Sequence, residues 1–470
     1  MIKVSDELSL FARCVEAAGA RLYAVGGLVR NGLLGLPVYD IDVCSALRPE
    51  AVISLCARAG FGIVRKGIDF GMVEVHINGK KFEHTTFRSD SYAEGGAHRP
   101  SAVRFSTTVE EDAFRRDFTV NALYLDVLSG QIKDPTGGLT DLEKRIIRTT
   151  SPSPYTVLSD DGLRIMRMVR FAAELYFDID AETYETAKQL CGNLKDISPE
   201  RIRDELNKIL LSDVKYGERN PERVLHGLEL LRDVGAIELI LPELYLGRGI
   251  EQKPTHHLYD VLDHCLHTAA EISPNLVMRL SGLLHDVGKP PVNLRTGKMY
   301  GHDLEGADIS REILTRLRYD NKTIAEVCFI VRHHMYDLNN TAKESTLRTT
   351  FGRWGYERSM EIAEIREADV HGSGIIKGEV KSADRWRELL KKMKDEHTPF
   401  SDKELNCTGE DIMRWLSLPP GPRVGDIKRR LLEHCARFPQ DNTPEKLERL
   451  ARDVSGAFIG TPPRTPLGAF

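Results

Sequence analysis

Two aspartates, Asp40 and Asp42, stand two positions apart near the end of the stretch LYAVGGLVRNGLLGLPVYDIDV, residues 22–43. On a strand, residues i and i+2 share a face, about 6.7 Å apart at a rise of about 3.3 Å per residue. Carboxylates so placed repel each other unless a cation sits between them. Hard oxygen donors of this kind suit Mg²⁺, which also takes phosphate oxygens. Ahead of the pair, an apolar run over Leu22–Val25 breaks at Gly26-Gly27 and continues as a short helical segment, Leu28–Leu34. Glycines ahead of a helix free backbone N–H groups for an anion such as a triphosphate, and Arg30 adds a fixed positive fork. The stretch reads as a triphosphate cradle beside a metal pair. Glu83, on a later strand, is a possible third metal-facing carboxylate.

Two further groups could serve a nucleotide. Arg115, Arg116 and Asp117 form a compact ionic cluster; arginine suits phosphate, and a carboxylate accepts from ribose hydroxyls. Arg164, Arg167 and Arg170 recur every three residues along a helical pattern, interleaved with Ile165, Met166, Val169 and Phe171. The apolar partners must be buried, which places the guanidinium groups along a groove edge. Asp161 and Arg164, three apart, are expected as neighbours on that helix. Such a pair can imitate a Watson–Crick edge, the carboxylate accepting from an exocyclic amine and the guanidinium donating to ring acceptors. Cytosine and adenine satisfy it. Guanine and uracil present a carbonyl where an amine is needed, a mismatch worth about 1–3 kcal/mol per unsatisfied buried group.

A separate set of metal-ligand residue types lies downstream: His264, the adjacent pair His285-Asp286, His302, His333-His334 and Asp369. Imidazole and carboxylate together can hold one or two divalent cations, whose identity the residue types leave open. His256, His257, His267 and His371 lie nearby as supporting or surface residues.

The elements that must position these groups follow from composition and periodicity. A chain of 470 residues has room for three or four domains. Ser5–Ala18 is expected as a helix, Ala51–Ala59 as another, and Met72–Ile77 with Lys80–Phe87 as a hairpin closed by Asn78-Gly79. Arg88–Phe105 is polar and glycine-bearing and is expected as a mobile loop. Ser198 is a candidate N-cap, with Pro199 at the first helical position. Gly421-Pro422 precedes a basic helix, and the final GTPPRTPLGAF is expected to be disordered. The domain boundaries are read as 1–150 for an α/β head with a mixed sheet and helices, 151–250 for an all-α neck, 251–372 for an all-α metal-binding domain and 373–470 for an all-α tail. The net charge of −5 neither supports nor excludes a nucleic-acid partner. The eight cysteines are scattered without a C-x-x-C pair, so neither a zinc ribbon nor a disulfide framework is indicated. No run approaches the roughly 20 apolar residues of a membrane span, and the N-terminus lacks a signal-peptide core. The expectation is a cytoplasmic protein with no membrane partner and no obligate protein partner.

The motifs also carry a resemblance. GGLVR…DID resembles the catalytic signature of the DNA polymerase beta-type nucleotidyltransferase superfamily, in the form used by bacterial class II CCA tRNA nucleotidyltransferases and poly(A) polymerases. RRDFTVNA (115–122) resembles the family's second signature, and IKDPTGG its third, which links head to neck. Asp160-Asp161-Gly162-Leu163-Arg164 resembles the family's Glu-Asp-x-x-Arg, and Ile197–Leu211 resembles the helix that follows it. LLHDVGK and the order H…HD…H…HH…D resemble the HD phosphohydrolase superfamily. A subset of bacterial CCA-adding enzymes carries such a domain after the neck. Two departures stand out: Asn31 where the family usually has Asp, and Asp160 where it has Glu.

The resemblance implies a polymerase beta-like head and a template-independent enzyme that completes the 3′ CCA of tRNA from CTP and ATP with release of pyrophosphate. It implies two Mg²⁺ ions on the catalytic residues Asp40 and Asp42. Nucleotide binding is assigned to Gly26, Gly27, Arg30, Arg116, Asp117, Asp161, Arg164, Arg167 and Arg170. For the HD residues it implies a divalent-metal site with phosphomonoesterase or cyclic phosphodiesterase chemistry on RNA ends, with Lys289 reaching phosphate. In the family the 88–105 loop is associated with the switch from C to A, and the tail with gripping the outer part of tRNA. Rival readings are an A-only or CC-only enzyme, a poly(A) polymerase, or an HD phosphohydrolase whose head merely binds RNA.

Overall fold

The computed structural model describes residues 2–91, 102–217, 219–255 and 257–456. Most of the loop expected over 88–105, the proline-rich end and His256 therefore lie outside the described residues. The chain forms two units: residues 1–248 with 273–279 and 311–324, and residues 249–272 with 280–310 and 325–470.

The first unit begins with a seven-stranded mixed sheet. In chain order its strands and those of a flanking hairpin are β1 (Tyr23–Val25), β2 (Asp42–Ser45), β3 (Gly62–Val64), β4 (Met72–Ile77), β5 (Lys80–Thr86), β6 (Arg88–Ser91), β7 (Ala102–Phe105), β8 (Tyr124–Asp126) and β9 (Ile132–Lys133). The sheet order is β3-β4-β5-β2-β1-β8-β9, with β6 and β7 paired separately. Only the β2–β5 pairing is parallel within the seven-stranded sheet; its register sets Asp42 opposite Glu83. The β4–β5 hairpin closes through Asn78 (φ 49°) and Gly79 (φ 81°), the two left-handed residues that a two-residue turn needs to match strand twist. The first helix, Asp6–Ala17, is capped by the Ser5 hydroxyl, which accepts from the Leu8 N–H, and buries Leu8, Phe11 and Val15. These buried positions follow the 3.6-residue period of one helix face, whereas Leu10 is exposed.

Helices follow the sheet. Leu163–Leu175 buries most of its residues, as a central neck helix should. Pro199–Leu210 starts at the expected place, but Ser198 occupies the cap position without a side-chain capping bond. One ion pair holds the helical part of this unit from inside: Arg279 binds Asp213, both fully buried, with Arg219 Nε 3.6 Å from the same carboxylate. Removing one member of a buried pair strands the other charge. Asp213→Ala is therefore expected to cost about 3–5 kcal/mol of stability, read as a lowered denaturation midpoint.

The second unit is helical. It includes Val261–Glu271, Leu276–Leu284 in part, Lys289–Thr296, most of His302–Arg316 and Asn321–His333, Glu344–Trp354, Tyr356–Gly372 and Lys381–Asp395. Gly409–Leu416, Pro422–Arg437 and Pro444–Gly456 then close over a small core of Leu405, Ile412, Ile427, Leu431, Cys435 and Leu447. No helix among the described residues is long and apolar enough to cross a membrane.

Candidate active sites

The head site is built on the break between β1 and the helix Gly27–Leu34. Gly26 caps that helix at φ 68°, a left-handed value that costs a side chain strain. A Cβ there would stand at ordinary contact distance, 3.4 Å, from Asp42 Oδ2, so the backbone angle is what calls for glycine, with the carboxylate beside it. Asp42 opens β2, whereas Asp40 is exposed and precedes the strand. The expectation that one strand carries both aspartates is corrected. The segment after Pro37 pairs in the sheet only from Asp42 onward, and Asp40 reaches the site from a loop.

Burial is the largest influence on the Asp42 carboxyl and pushes its pKa up; Arg116 and Arg167 oppose this, and Asp40 adds to it. Glu83 is likewise pushed up, by burial and then by Asp42. Carboxylates that raise one another this way are stabilised by a cation, so the donor set fits a hard divalent ion. Arg116 owes its position to a residue that the sequence reading missed. The fully buried Asp112 carboxylate accepts from Arg116 Nε at 3.1 Å and Nη2 at 3.0 Å, from Arg115 Nε at 2.8 Å, and from the Tyr124 hydroxyl at 2.7 Å. Asp112 sits three and four residues before the two arginines on a helix start, a spacing legible in the sequence.

The remaining expected nucleotide contacts are engaged within the protein. Arg30 is buried; its Nε donates to Asn31 Oδ1 at 3.0 Å, its Nη1 to Asn121 and its Nη2 to the Tyr216 hydroxyl at 3.1 Å. Asn31 Nδ2 donates to the Pro37 carbonyl at 2.8 Å. The family's Asp could not make that bond, so this departure braces the turn before Asp40. Asp117 pairs with Arg167, and its Oδ1 accepts from the Phe118 N–H at 2.8 Å. Burial would raise the Asp117 carboxyl, but Arg167 overrides it and holds it well below the carboxylate range. Arg170 pairs with Glu205 at 3.1 Å and lies over Phe171. The groove-edge stripe is corrected accordingly: Arg164 and Arg170 are buried, drawn in by backbone carbonyls and acidic partners.

Asp161 and Arg164 do not share a helix. One helix ends at Asp160, the next starts at Leu163, and Asp161 is extended between them (φ −145°, ψ 108°). Gly162 at the junction packs where a Cβ would meet the Asn193 carbonyl at 2.8 Å, so the chain breaks here to pass close to another backbone. Asp161 Oδ1 accepts from the Leu163 N–H at 3.0 Å and Oδ2 from Arg201 Nη2 at 2.9 Å. Arg164 donates to the carbonyls of Val157 and Arg115, each at 2.8 Å, with Asp160 3.6 Å away. Both side chains are thereby fixed in orientation. Arg201, on the Pro199–Leu210 helix, holds the carboxylate. Arg201→Ala is expected to leave folding intact and relax discrimination among nucleotides, measured as the incorporation ratio of each of the four.

The second unit gathers the HD residues. His264, His285 and Asp369 form one group and Asp286, His302 and His334 another, with the donor atoms of each group within 4.8 Å of one another. Asp286 spans them: Oδ1 lies 3.0 Å from His302 Nε2 and 3.6 Å from His334 Nε2, and Oδ2 lies 3.3 Å from His285 Nε2 and 3.5 Å from His264 Nε2. Backbone carbonyls fix the rings. His285 Nδ1 faces the Gly282 carbonyl at 2.8 Å, His302 Nδ1 that of Met299 at 2.6 Å and His334 Nδ1 that of Val331 at 2.7 Å. A neutral imidazole donating through Nδ1 turns a lone pair outward at Nε2. His302 and His334 thus face each other at 3.2 Å through Nε2, while His264 Nε2 lies 3.1 Å from His285 Nε2 and 3.0 Å from Asp369 Oδ1. Facing lone pairs beside a carboxylate repel, and a divalent cation in each group relieves this, so the donor sets fit two ions. Lys289 pairs with the Asp286 carboxylate. Arg366 Nη1 steadies Asp369 at 3.2 Å.

His333 is not part of either group. Its Nδ1 faces the Phe329 carbonyl at 2.7 Å, and its ring packs on Phe329 and Trp354. Successive residues at a helix end point about 100° apart, so only one of the two histidines can face the centre.

Known proteins match this layout. Residues 22–148 match the poly A polymerase head domain, 176–246 the probable RNA and SrmB-binding site of polymerase A, and 256–371 the HD domain. These matches define the class: a nucleotidyltransferase head joined to a helical RNA-binding segment and an HD domain. A CCA-adding enzyme of Streptococcus gordonii is 42% identical over 420 residues, covering 89% of each chain. An A-adding tRNA nucleotidyltransferase of Deinococcus radiodurans is 30% identical over 459 residues, covering 92% of this chain and 96% of its own. The crystal structure of a Bacillus stearothermophilus CCA-adding enzyme in complex with CTP superposes with a TM-score of 0.70 at 26% identity, over 96% of this chain and 98% of that one. The chain belongs to the tRNA nucleotidyltransferase family that includes the CCA-adding enzymes.

Proposed function

We propose that this chain completes the 3′-terminal CCA of tRNA from CTP and ATP, releasing pyrophosphate. One observation carries the reading: a half-buried Asp42 lies beside Gly26, at the start of a helix and near the braced guanidinium of Arg116. Two Mg²⁺ ions held by Asp40 and Asp42 supply charge neutralisation on the triphosphate and a more reactive primer hydroxyl when bound. The amides after Gly26 and Gly27 accept the triphosphate, and Arg116 offsets its charge. Arg30 and Asp117 act one layer back, Arg30 on the cradle helix and Asp117 by fixing Arg167. Asp161 accepts from the exocyclic amine of C or A, and Arg164 donates to the ring. The assignment takes residues 1–150 as head, 151–250 as neck, 251–372 as HD domain and 373–470 as tRNA-binding tail, working in the cytoplasm.

The HD centre is read as a phosphohydrolase acting on phosphorylated RNA ends. His264, His285 and Asp369 hold one divalent cation, Asp286, His302 and His334 a second, and these supply a hydroxide from water when bound.

The A-adding relative of Deinococcus favours a second reading, addition of A alone. Incubating the full-length protein with tRNA lacking CCA, with tRNA ending in CC, and with each labelled nucleotide separates the two. C, C and A added in order to the first tRNA supports the proposal. A added only to the CC-ended tRNA, with no C incorporated, replaces it with the second reading.

A further inference from the structure

Around the HD centre, loop residues 249–255 and 257–260 carry two buried polar nitrogens that the described residues leave unpaired. The loop is pinned at both ends. Asp260 accepts from the Gly249 N–H at 2.7 Å and, as a helix cap, from the Asp263 N–H at 2.8 Å. Leu258 N–H donates to the Ser373 carbonyl at 2.9 Å, and His257 N–H to that of Lys253 at 3.1 Å. Held this way, the loop sets the His257 ring edge-on against the metal-ligand type His264, centroids 4.7 Å apart. Gln252 Oε1 accepts from Lys289 Nζ at 2.7 Å, and Lys289 in turn pairs with Asp286. Gln252 Nε2 and His257 Nδ1 are both buried without a hydrogen-bond partner.

Buried polar nitrogens without partners are rare, and the Gln252 amide N–H together with His257 Nδ1, in the tautomer that protonates it, beside a lysine and a pair of ligand groups, ask for an acceptor that comes and goes. A terminal phosphate has three non-bridging oxygens. Two can face the two ligand groups; the third, which a diester lacks, needs N–H donors. We propose that Gln252, His257 and Lys289 form the oxyanion-recognition element of the HD centre and give it a preference for phosphomonoesters over cyclic diesters. This rests on the phosphohydrolase reading given above. Gln252 and His257 are recognition residues that bind the phosphate oxygen, and the loop positions them.

The test is calorimetric titration of inorganic phosphate into the full-length protein loaded with Mn²⁺, with Mn²⁺ content measured by elemental analysis. Gln252→Leu and His257→Phe are each expected to retain Mn²⁺ and to bind phosphate about tenfold more weakly, the scale of one lost charge-assisted hydrogen bond. His257→Asn, which keeps an N–H, is expected to recover part of the loss. Hydrolysis of a phosphomonoester should fall by a similar factor, chiefly through KM, and that of a cyclic phosphodiester by less. Unchanged phosphate affinity in the variants overturns the proposal while leaving the phosphohydrolase reading standing. Loss of Mn²⁺ from His257→Phe makes that residue a prop for His264 and also overturns it. A loaded wild-type protein that neither binds phosphate nor hydrolyses either ester brings down both readings together.

Discussion

Asp42→Asn is expected to reduce nucleotide addition by at least about 10³-fold, because the charge that holds the cation supplies several kcal/mol of transition-state stabilisation. The same change should not weaken the fold. Asp42 is the carboxylate whose charge burial opposes and whose neighbours Asp40 and Glu83 repel it, so a neutral isostere removes a penalty in the cation-free protein. The pairing of lost activity with an unfolding midpoint at or above that of the wild type separates a functional residue from a structural one. Hydrolysis at the HD centre should persist, since its ligand groups all lie in the other unit. Nucleotide addition near the wild-type rate would show that the catalytic carboxylates are elsewhere.

Asp286→Asn is expected to do the reverse. Asp286 reaches both histidine groups through different oxygens, and it also pairs with Lys289. Removing its charge leaves each cation one anionic donor short and strands a lysine beside them. Bound divalent metal should fall from two equivalents toward none, and phosphoester hydrolysis should drop by about 10² or more, the upper end of what altered coordination costs in affinity or activity. Nucleotide addition should stay unchanged. Retention of two metal equivalents would contradict the bridging role.

What could be read in advance follows from how local each signal is. The glycine break, the Asn78-Gly79 turn and the first helix depend on neighbouring residues alone, and the fold places them as expected. The clustering of the HD residues was legible because residue types that can hold metals recur on separate helices, and no core requires so many. Helix periodicity could also have excluded His333, since His334 one residue on points a different way. Asp161 was misplaced on a helix because the Asp160–Leu163 break is imposed from outside: Gly162 yields to the Asn193 backbone, which is distant in sequence. Arg164 and Arg170 were placed at a groove edge because their acceptors, the Arg115 carbonyl and Glu205, are also remote in sequence. Tyr216 and Gln252 gave no signal at all. A single polar residue announces a role only when the fold brings its partner.

The most direct test of the central claim is a crystal structure of the protein with CTP and Mg²⁺. The account predicts density for a divalent ion between Asp40 and Asp42, the triphosphate at the amides after Gly26, and the cytosine amine within hydrogen-bond reach of Asp161 with Arg164 on the ring. A cytosine bound away from Asp161 and Arg164, or a triphosphate seated with no ion at the aspartates, would contradict it.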